Sequence, residues 1–356
     1  MIDFRPATDA DAPAWQAVLE ATTSGDFLHD WAWADVAAFD GQPQRRYVIE
    51  QDGRLVGLAA AQERPLLAGR TFWYVPHGPV LDYDHPEAAA RLRAMLLGLR
   101  GAARHHRAVA VKVEPRLATG EAGVALFGRL EGRSLRRTDE KLQVGQTRLV
   151  TLADDDALIA AFDKDTRYGV RRAEREGVTV DTVLDATDTA AVDALHDLVG
   201  ETQRRAGFPM PPLERYRLAW RVLAGAGRAA ILEARREGRL LASGLVVVEG
   251  DRSFYLFSGS RREEPGEPKR YASYALQWEM MRYARGRGVR VHDLWGVAPP
   301  DAGPEHPWHG VGLFKKGFGG REVVWAGSWD VVADPTLYRL RAVLGIARGW
   351  LRRVRP

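Results

Sequence analysis

The densest group of side chains able to do chemistry is Val311-Gly312-Leu313-Phe314-Lys315-Lys316-Gly317-Phe318-Gly319-Gly320. Two adjacent lysines sit between aromatics and run into glycines. A lysine is a mobile point charge suited to an oxyanion or a phosphate, and glycines let main-chain N–H groups approach a ligand closely. Alone, the stretch reads more simply as a β-turn with two solvated lysines. Other candidates are more diffuse. Basic residues recur at Lys164, Arg167, Arg171, Arg172 and Arg175, mostly three or four apart and so mostly along one helical side. They form either a phosphate-contacting ridge or a solvated face balanced by Glu174 and Glu176. Glu114 and Asp293 close two apolar strands, where acids either meet ligands or cap the next turn. His306 and His309 are three apart, but the intervening proline and flanking glycines make a loop, and no third ligand is near, which argues against a metal.

Absences narrow the chemistry. The chain has no cysteine, which excludes disulfides, thiolate metal sites and a cysteine nucleophile. No G-x-x-x-x-G-K-[ST] loop, no G-x-G-x-x-G after a strand and no G-x-S-x-G elbow occurs. The 356 residues carry a net charge of +4, with 46% hydrophobic and 28% charged residues. That composition describes an ordered globular protein with a mild preference for anionic partners. The first residues do not read as a signal peptide. No run approaches the ~18–20 apolar residues of a membrane span, so a cytoplasmic location is expected.

The elements that must position these residues repeat. Strands are expected at Tyr47–Glu50, Leu55–Ala61 and Thr71–Val75, then a helix over Pro86–His105 and a buried strand at Ala108–Val113. The first two strands flank Asp52-Gly53, a hairpin signal. Glu237-Gly238-Arg239-Leu240-Leu241 echoes Asp52-Gly53-Arg54-Leu55-Val56 at an offset of 185, and Arg252-Ser253-Phe254-Tyr255 echoes Arg70-Thr71-Phe72-Trp73 at 182. A helix over Ser273–Arg285 and a strand at Val289–Leu294 complete the second copy. The expected fold is therefore a duplicated α/β unit with mixed α+β sheets. Domain 1 spans 1–150 and domain 2 spans 151–329. Residues 188–224 read as helical, interrupted at Gly207–Pro212. The segment from 335 to 356 reads as an amphipathic helix with six arginines, including Arg352 and Arg353, and no acid. Its apolar face is expected to dock on domain 1 within 330–356. Its basic face suits RNA phosphates or anionic lipid.

Taken together, the segments Phe27–Trp33, Tyr74–Val80, Val113–Pro115, Thr166–Ala173, Gln277–Met280, His292–Gly296 and Gly312–Gly320 resemble, in order, the FemABX peptidyltransferases, which are built from two tandem GNAT-like (acyl-CoA N-acyltransferase-like) domains. The resemblance implies an aminoacyltransferase that moves an amino acid from aminoacyl-tRNA to an amine on the stem peptide of a UDP- or lipid-linked peptidoglycan precursor, building an interpeptide bridge. It implies no cofactor and no metal, with aminoacyl-tRNA as co-substrate. Lys315 and Phe314 match the family's reaction-centre Phe-Lys, Lys315 stabilising the oxyanion. Glu114 matches an acid that contacts the attacking ammonium or takes its proton. Tyr216 and Tyr255 match substrate-contacting tyrosines, and Trp31 falls in the first motif. Two phosphate-binding positions of the family align with Ala37 and Pro212, so Arg204, Arg205 or Arg215 substitutes or the acceptor differs. The helical hairpin that binds tRNA in some members is missing, which leaves Arg167, Arg171, Arg175, Arg352 and Arg353 as candidate tRNA contacts. Two other readings stay open: an acyl-CoA-dependent N-acyltransferase, and a non-enzymatic basic adaptor with peripheral membrane contact.

Overall fold

The computed structural model describes residues 1–206, 210–261, 271–299, 302–306 and 308–341. Two compact units divide the chain. One comprises 1–143 with 325–356, the other 144–324.

In chain order, the first unit contributes β1 (Ile2–Pro6), α1 (Ala12–Ala21), α2 (Trp33–Phe39), β2 (Gln44–Gln51) and β3 (Arg54–Pro65). It continues through β4 (Thr71–His77), β5 (Val80–Leu81), α3 (Ala88–His105), β6 (Ala108–Pro115), α4 (Ala122–Leu130) and β7 (Leu135–Thr138). The second unit opens with β8 (Gln146–Thr151), α5 (Asp155–Ala161), α6 (Lys164–Arg175), β9 (Thr179–Val183), α7 (Thr189–Ala206) and α8 (Leu213–Gly225). It closes with β10 (Ala229–Arg236), β11 (Arg239–Glu249), β12 (Arg252–Ser260), α9 (Ala272–Gly286), β13 (Val291–Gly296), α10 (His309–Gly317) and β14 (Arg321–Val324). The last strand, β15 (Ser328–Val332), returns to the first sheet between β6 and β7.

An expected boundary at 150 would cut β8, which pairs with β13 and β14 in the second sheet. An end at 329 would cut β15, which pairs with β6 and β7 in the first. The chain changes unit after Gln143 and again before Trp325. A helix starts at 335 and is described to 341. Its continuation, with Arg352 and Arg353, lies outside the described residues, as do residues 207–209 of the proline-containing interruption.

The duplication is written in the topology. The first sheet runs β1-β2-β3-β4-β6-β15-β7 and the second β9-β10-β11-β12-β13-β8-β14. Each has one parallel pair, β4 with β6 and β12 with β13, crossed over by a helix. The hairpin turns match in conformation: Asp52 and Gly53 have φ of 51° and 76°, and Glu237 and Gly238 have φ of 50° and 76°. Left-handed φ at both central residues twists a two-residue turn the way paired strands twist. Each hairpin also shifts register at the same place, between Ile49 and Glu50 and between Ala234 and Arg235.

The first unit's core packs Trp73, Leu92, Met95, Leu99 and Trp329 between sheet and α3. Two apolar clusters of the second unit flank α9 and α10. Leu232, Val246, Leu276 and Met280 form one under α9. Val150, Phe162, Leu294 and Phe318 form the other, beside α10.

Two glycines of α3 test how tightly that helix lies. A Cβ on Gly98 would fall 2.1 Å from Cγ of Phe4, whereas a Cβ on Gly101 meets nothing within 4 Å. Both substitutions gain helix propensity, so their difference isolates packing. Gly101→Ala should stabilise by about 0.5–1 kcal/mol, and Gly98→Ala should destabilise by about 1–3 kcal/mol through overpacking. Urea melts of the two variants check this, and equal shifts would contradict the packing.

Candidate active site

The lysine-bearing stretch is not a β-turn. It is the end of a helix. α10 carries Phe314, Lys315 and Lys316 in its last turns, and Phe318 N–H closes it on the carbonyl of Lys315 at 3.2 Å. Glycine then turns the chain, with φ of 73° at Gly319 and 71° at Gly320. These two need to be glycine for space as well as for φ. An added Cβ would lie 2.6 Å from the Ala161 carbonyl oxygen at Gly319, and 2.3 Å from that of Leu149 at Gly320. Phe318 is fully buried, edge-on to Phe162 at 5.2 Å and to Phe314 at 5.1 Å. The helix end is thereby pinned, and the two lysines separate: Lys316 is exposed and Lys315 is 6% exposed.

Burying an ammonium requires acceptors. Lys315 Nζ donates to the carbonyl oxygen of Gly296 at 2.7 Å and, more weakly, of Trp295 at 3.5 Å. Those carbonyls follow from an irregularity in β13, whose pairing with β8 slips between Asp293 and Gly296. Trp295 takes φ of 62° there. Asp293 stabilises the turn, its Oδ1 accepting the Thr147 hydroxyl and the Trp295 N–H, the latter at 2.8 Å. Asp293 is therefore a capping carboxylate at the slip, rather than an acid at the strand's end. Burial brings the Lys315 ammonium down to about 8 from the ordinary lysine value of 10.5, with the Asp293 carboxylate opposing the shift.

Lys315 opens on a pocket of about 460 Å³. Tyr216, Tyr255, Phe257, Trp295 and Phe314 supply ring surface, and among the described lining residues Lys315 is the one charged group. Tyr216 stacks on Phe257 at 4.2 Å and meets His196 edge-on at 5.0 Å. The Tyr255 ring centroid is 5.8 Å from Lys315 Nζ. Burial pushes both tyrosine hydroxyls up to about 12, so they stay protonated donors. Gly259 on β12 lets α7 close over this pocket, since a Cβ there would fall 2.2 Å from the Leu198 backbone carbon. Thus Lys315, Phe314, Tyr216 and Tyr255 meet in one place.

The other expected residues are placed differently. Arg215 precedes Tyr216 on α8, half-buried, and is not among the described residues lining the pocket. Glu114 belongs to the first unit and is buried. Its Oε2 accepts from the Tyr74 hydroxyl at 2.8 Å and from Leu142 N–H at 3.1 Å, and Gln143 N–H is shared between both oxygens. Oε1 thus carries only a shared bond. Trp31, also in the first unit, lies under the Arg46 guanidinium at 3.8 Å and packs edge-on to Trp15 at 5.5 Å. Ala37 is buried on α2, and Pro212 is the N-cap of α8. On α6, Arg171 and Arg175 are exposed. Arg167 is half-buried and donates to the carbonyls of Ala160, at 3.1 Å, and of Phe162.

Buried histidines, among them His29 and His292, escaped sequence reasoning as individuals, although they lie inside quoted motifs. His29 bridges the Pro76 carbonyl at 2.7 Å and the Ala60 N–H at 3.2 Å, and burial takes it down to about 4. His292 hydrogen-bonds Ser253 at 2.7 Å and Gln277 at 2.8 Å, and burial takes it down to about 3. Both are neutral structural links. Only their position in apolar strand or motif context could have signalled this. No group of acids and histidines among the described residues could hold a metal ion, and none of their helices is long and apolar enough to cross a membrane.

Comparison with known proteins follows the same geography. The model of the FemAB family matches residues 14–123 and 227–345. Lipid II:glycine glycyltransferase of Staphylococcus aureus (strain MRSA252) is 23% identical, covering 91% of this chain and 92% of its own length. The crystal structure of FemX shares the fold with a TM-score of 0.83 and 20% identity, over 95% of this chain and 99% of that one. A tandem GNAT protein from the clavulanic acid biosynthesis pathway shares it at a TM-score of 0.50 and 15% identity, over 94% and 99%.

The buried ammonium carries a measurable signature. Between pH 8 and 10.5 the unfolded chain keeps the Lys315 proton that the folded chain has lost, so folding stability rises with pH across that window. Relative to Lys315→Met, the wild type should gain roughly 3 kcal/mol from pH 7 to pH 10.5. Denaturant melts across that range measure it, and parallel pH–stability curves would contradict the burial.

Proposed function

The chain belongs to the FemAB family, and from that premise we propose that it is an aminoacyltransferase joining an amino acid to the stem-peptide amine of a peptidoglycan precursor. The donor in this reading is aminoacyl-tRNA. The observation that carries the proposal is the buried Lys315 ammonium at the edge of an aromatic pocket whose other described lining residues are uncharged. Similarity to a lipid II:glycine glycyltransferase over nine-tenths of both chains supports the acceptor class.

The chemistry needs little else. The acceptor amine attacks the ester carbonyl, a C–N bond forms, and negative charge develops on the carbonyl oxygen. Two of the three Lys315 N–H donors are held by Gly296 and Trp295, leaving one for that oxyanion. In a desolvated pocket such a donor counts for far more than in water. Collapse breaks the ester C–O bond, and the proton lost by the amine leaves on the nucleotide oxygen. The protonated hydroxyls of Tyr216 and Tyr255 orient the reacting groups, and Phe314 packs against the donor. The enzyme would work at the cytoplasmic side, touching the membrane surface where a lipid-linked precursor sits.

The direct test mixes protein, tRNA charged with each amino acid in turn, and a UDP- or lipid-linked muropeptide. A mass gain of one or more amino acid residues is expected. Transfer from acetyl-coenzyme A with none from any charged tRNA would replace this reading with the coenzyme A one. Lys315→Met should lower turnover by about 10²–10³-fold while the precursor's KM stays within about threefold. Equal losses in both would make Lys315 a binding group only. Because the ammonium form acts, wild-type turnover should fall as pH rises through about 8.

A further inference from the structure

On α6, Lys164, Tyr168, Arg171 and Arg175 are exposed and spaced four, seven and eleven residues from the first, which stacks them along one side of the helix. No acid lies on that stripe. The flanking Arg172 is engaged by Glu176 at 2.5 Å, and Arg167 by backbone carbonyls. At the stripe's centre Tyr168 keeps 49% of its surface exposed, an unusual position for a large aromatic ring.

From Tyr168 a series of ring contacts leads inward. Tyr168 meets Tyr271 edge-on at 5.6 Å, Tyr271 meets Tyr274 at 6.0 Å, and Tyr274 meets Phe314 edge-on at 5.2 Å. Tyr271 and Tyr274 are half-buried, as is Phe314, the neighbour of Lys315 on the pocket wall. Gly169 is what seats the helix on this track: a Cβ there would lie 2.9 Å from Tyr274 Cγ and 3.2 Å from Tyr271 Cδ1. The track therefore begins at solvent beside three cations and ends at the reactive lysine.

We propose that this track is the path of the donor's single-stranded nucleic-acid end, an inference that rests on the aminoacyl-tRNA reading above. Lys164, Arg171 and Arg175 take phosphates, unpaired bases lie against Tyr168, Tyr271 and Tyr274, and the ester reaches Lys315. A cationic stripe interleaved with partly exposed rings is how proteins hold single strands without reading their sequence. That tolerance suits a donor recognised by its common end.

The test measures binding of bulk charged tRNA over a range of salt, and KM for that tRNA and for the precursor separately. Arg171→Ala with Arg175→Ala should lower the slope of log affinity against log salt by about 1.4, or roughly 0.7 per single-stranded phosphate. Tyr168→Ala should raise the tRNA KM by about 5–100-fold, Tyr168→Phe should restore it, and the precursor's KM should not move in either. Thermal melts of the exposed-residue variants should match wild type. Unchanged tRNA binding and slope in variants, with wild-type transfer intact, would overturn the track and leave the proposed function standing. Failure of the wild type to use any charged tRNA would remove the donor reading and the track with it. Loss of binding to phosphatidylglycerol vesicles with tRNA binding kept would assign the stripe to a membrane surface and overturn the proposal.

Discussion

An ammonium taken out of water must be given oxygen acceptors, and the second unit is built around supplying them. Lys315 has them because β13 leaves its register with β8 after Asp293. The left-handed Trp295 then presents two successive carbonyls toward the lysine. A non-glycine residue at positive φ is costly, and Asp293 offsets part of that cost by accepting the Trp295 N–H. The same carboxylate favours the lysine's charged form. One irregular turn thus sets both the position of the charge and its acidity.

Duplication shows which irregularities belong to the shared frame and which to the second unit alone. Both units share strand order, one parallel pair, a matched hairpin turn and a matched register shift. The repeated parts are held by burial of strands on both faces and by a crossover helix, and the irregularity they do carry in the hairpin is itself repeated. The slip falls in β13's pairing with β8, outside the hairpin and the parallel pair common to both units. Functional strain is thereby confined to a strand whose loss of one or two ladder bonds the core can carry.

This also explains what could be read from the chain. Turns such as Asp52-Gly53 and Glu237-Gly238 are local chemistry, and they were legible together with the strands they join. The lysine stretch was not. α10 is nine residues long and contains Gly310, Gly312 and Gly317, a composition whose local preference is against helix. Packing overrides it. Gly317 abuts Thr166, where a Cβ would lie 2.2 Å from the hydroxyl oxygen, so small residues there permit the helix to seat. The burial of Lys315 likewise depends on carbonyls nineteen and twenty residues earlier, which no local pattern encodes. The unit boundaries failed to show for a similar reason, since β8 and β15 each join a sheet assembled from distant strands. Trp31 could be read as ring surface, but not as a face already covered by Arg46.

Among the described residues lining the pocket, the lack of a second charge is as important as the lysine. A carboxylate lining the same wall would pair with the ammonium, hold it away from a developing oxyanion and lower its acidity back toward the ordinary value. Asp293 gives its Oδ1 to the Thr147 hydroxyl and the Trp295 N–H, and its charge opposes the downward shift of Lys315. Protonated tyrosines provide orientation without charge. Among the described lining residues this leaves a single cation, its proton held less tightly than an ordinary lysine's, as the one charged donor a transient negative charge in the pocket would meet.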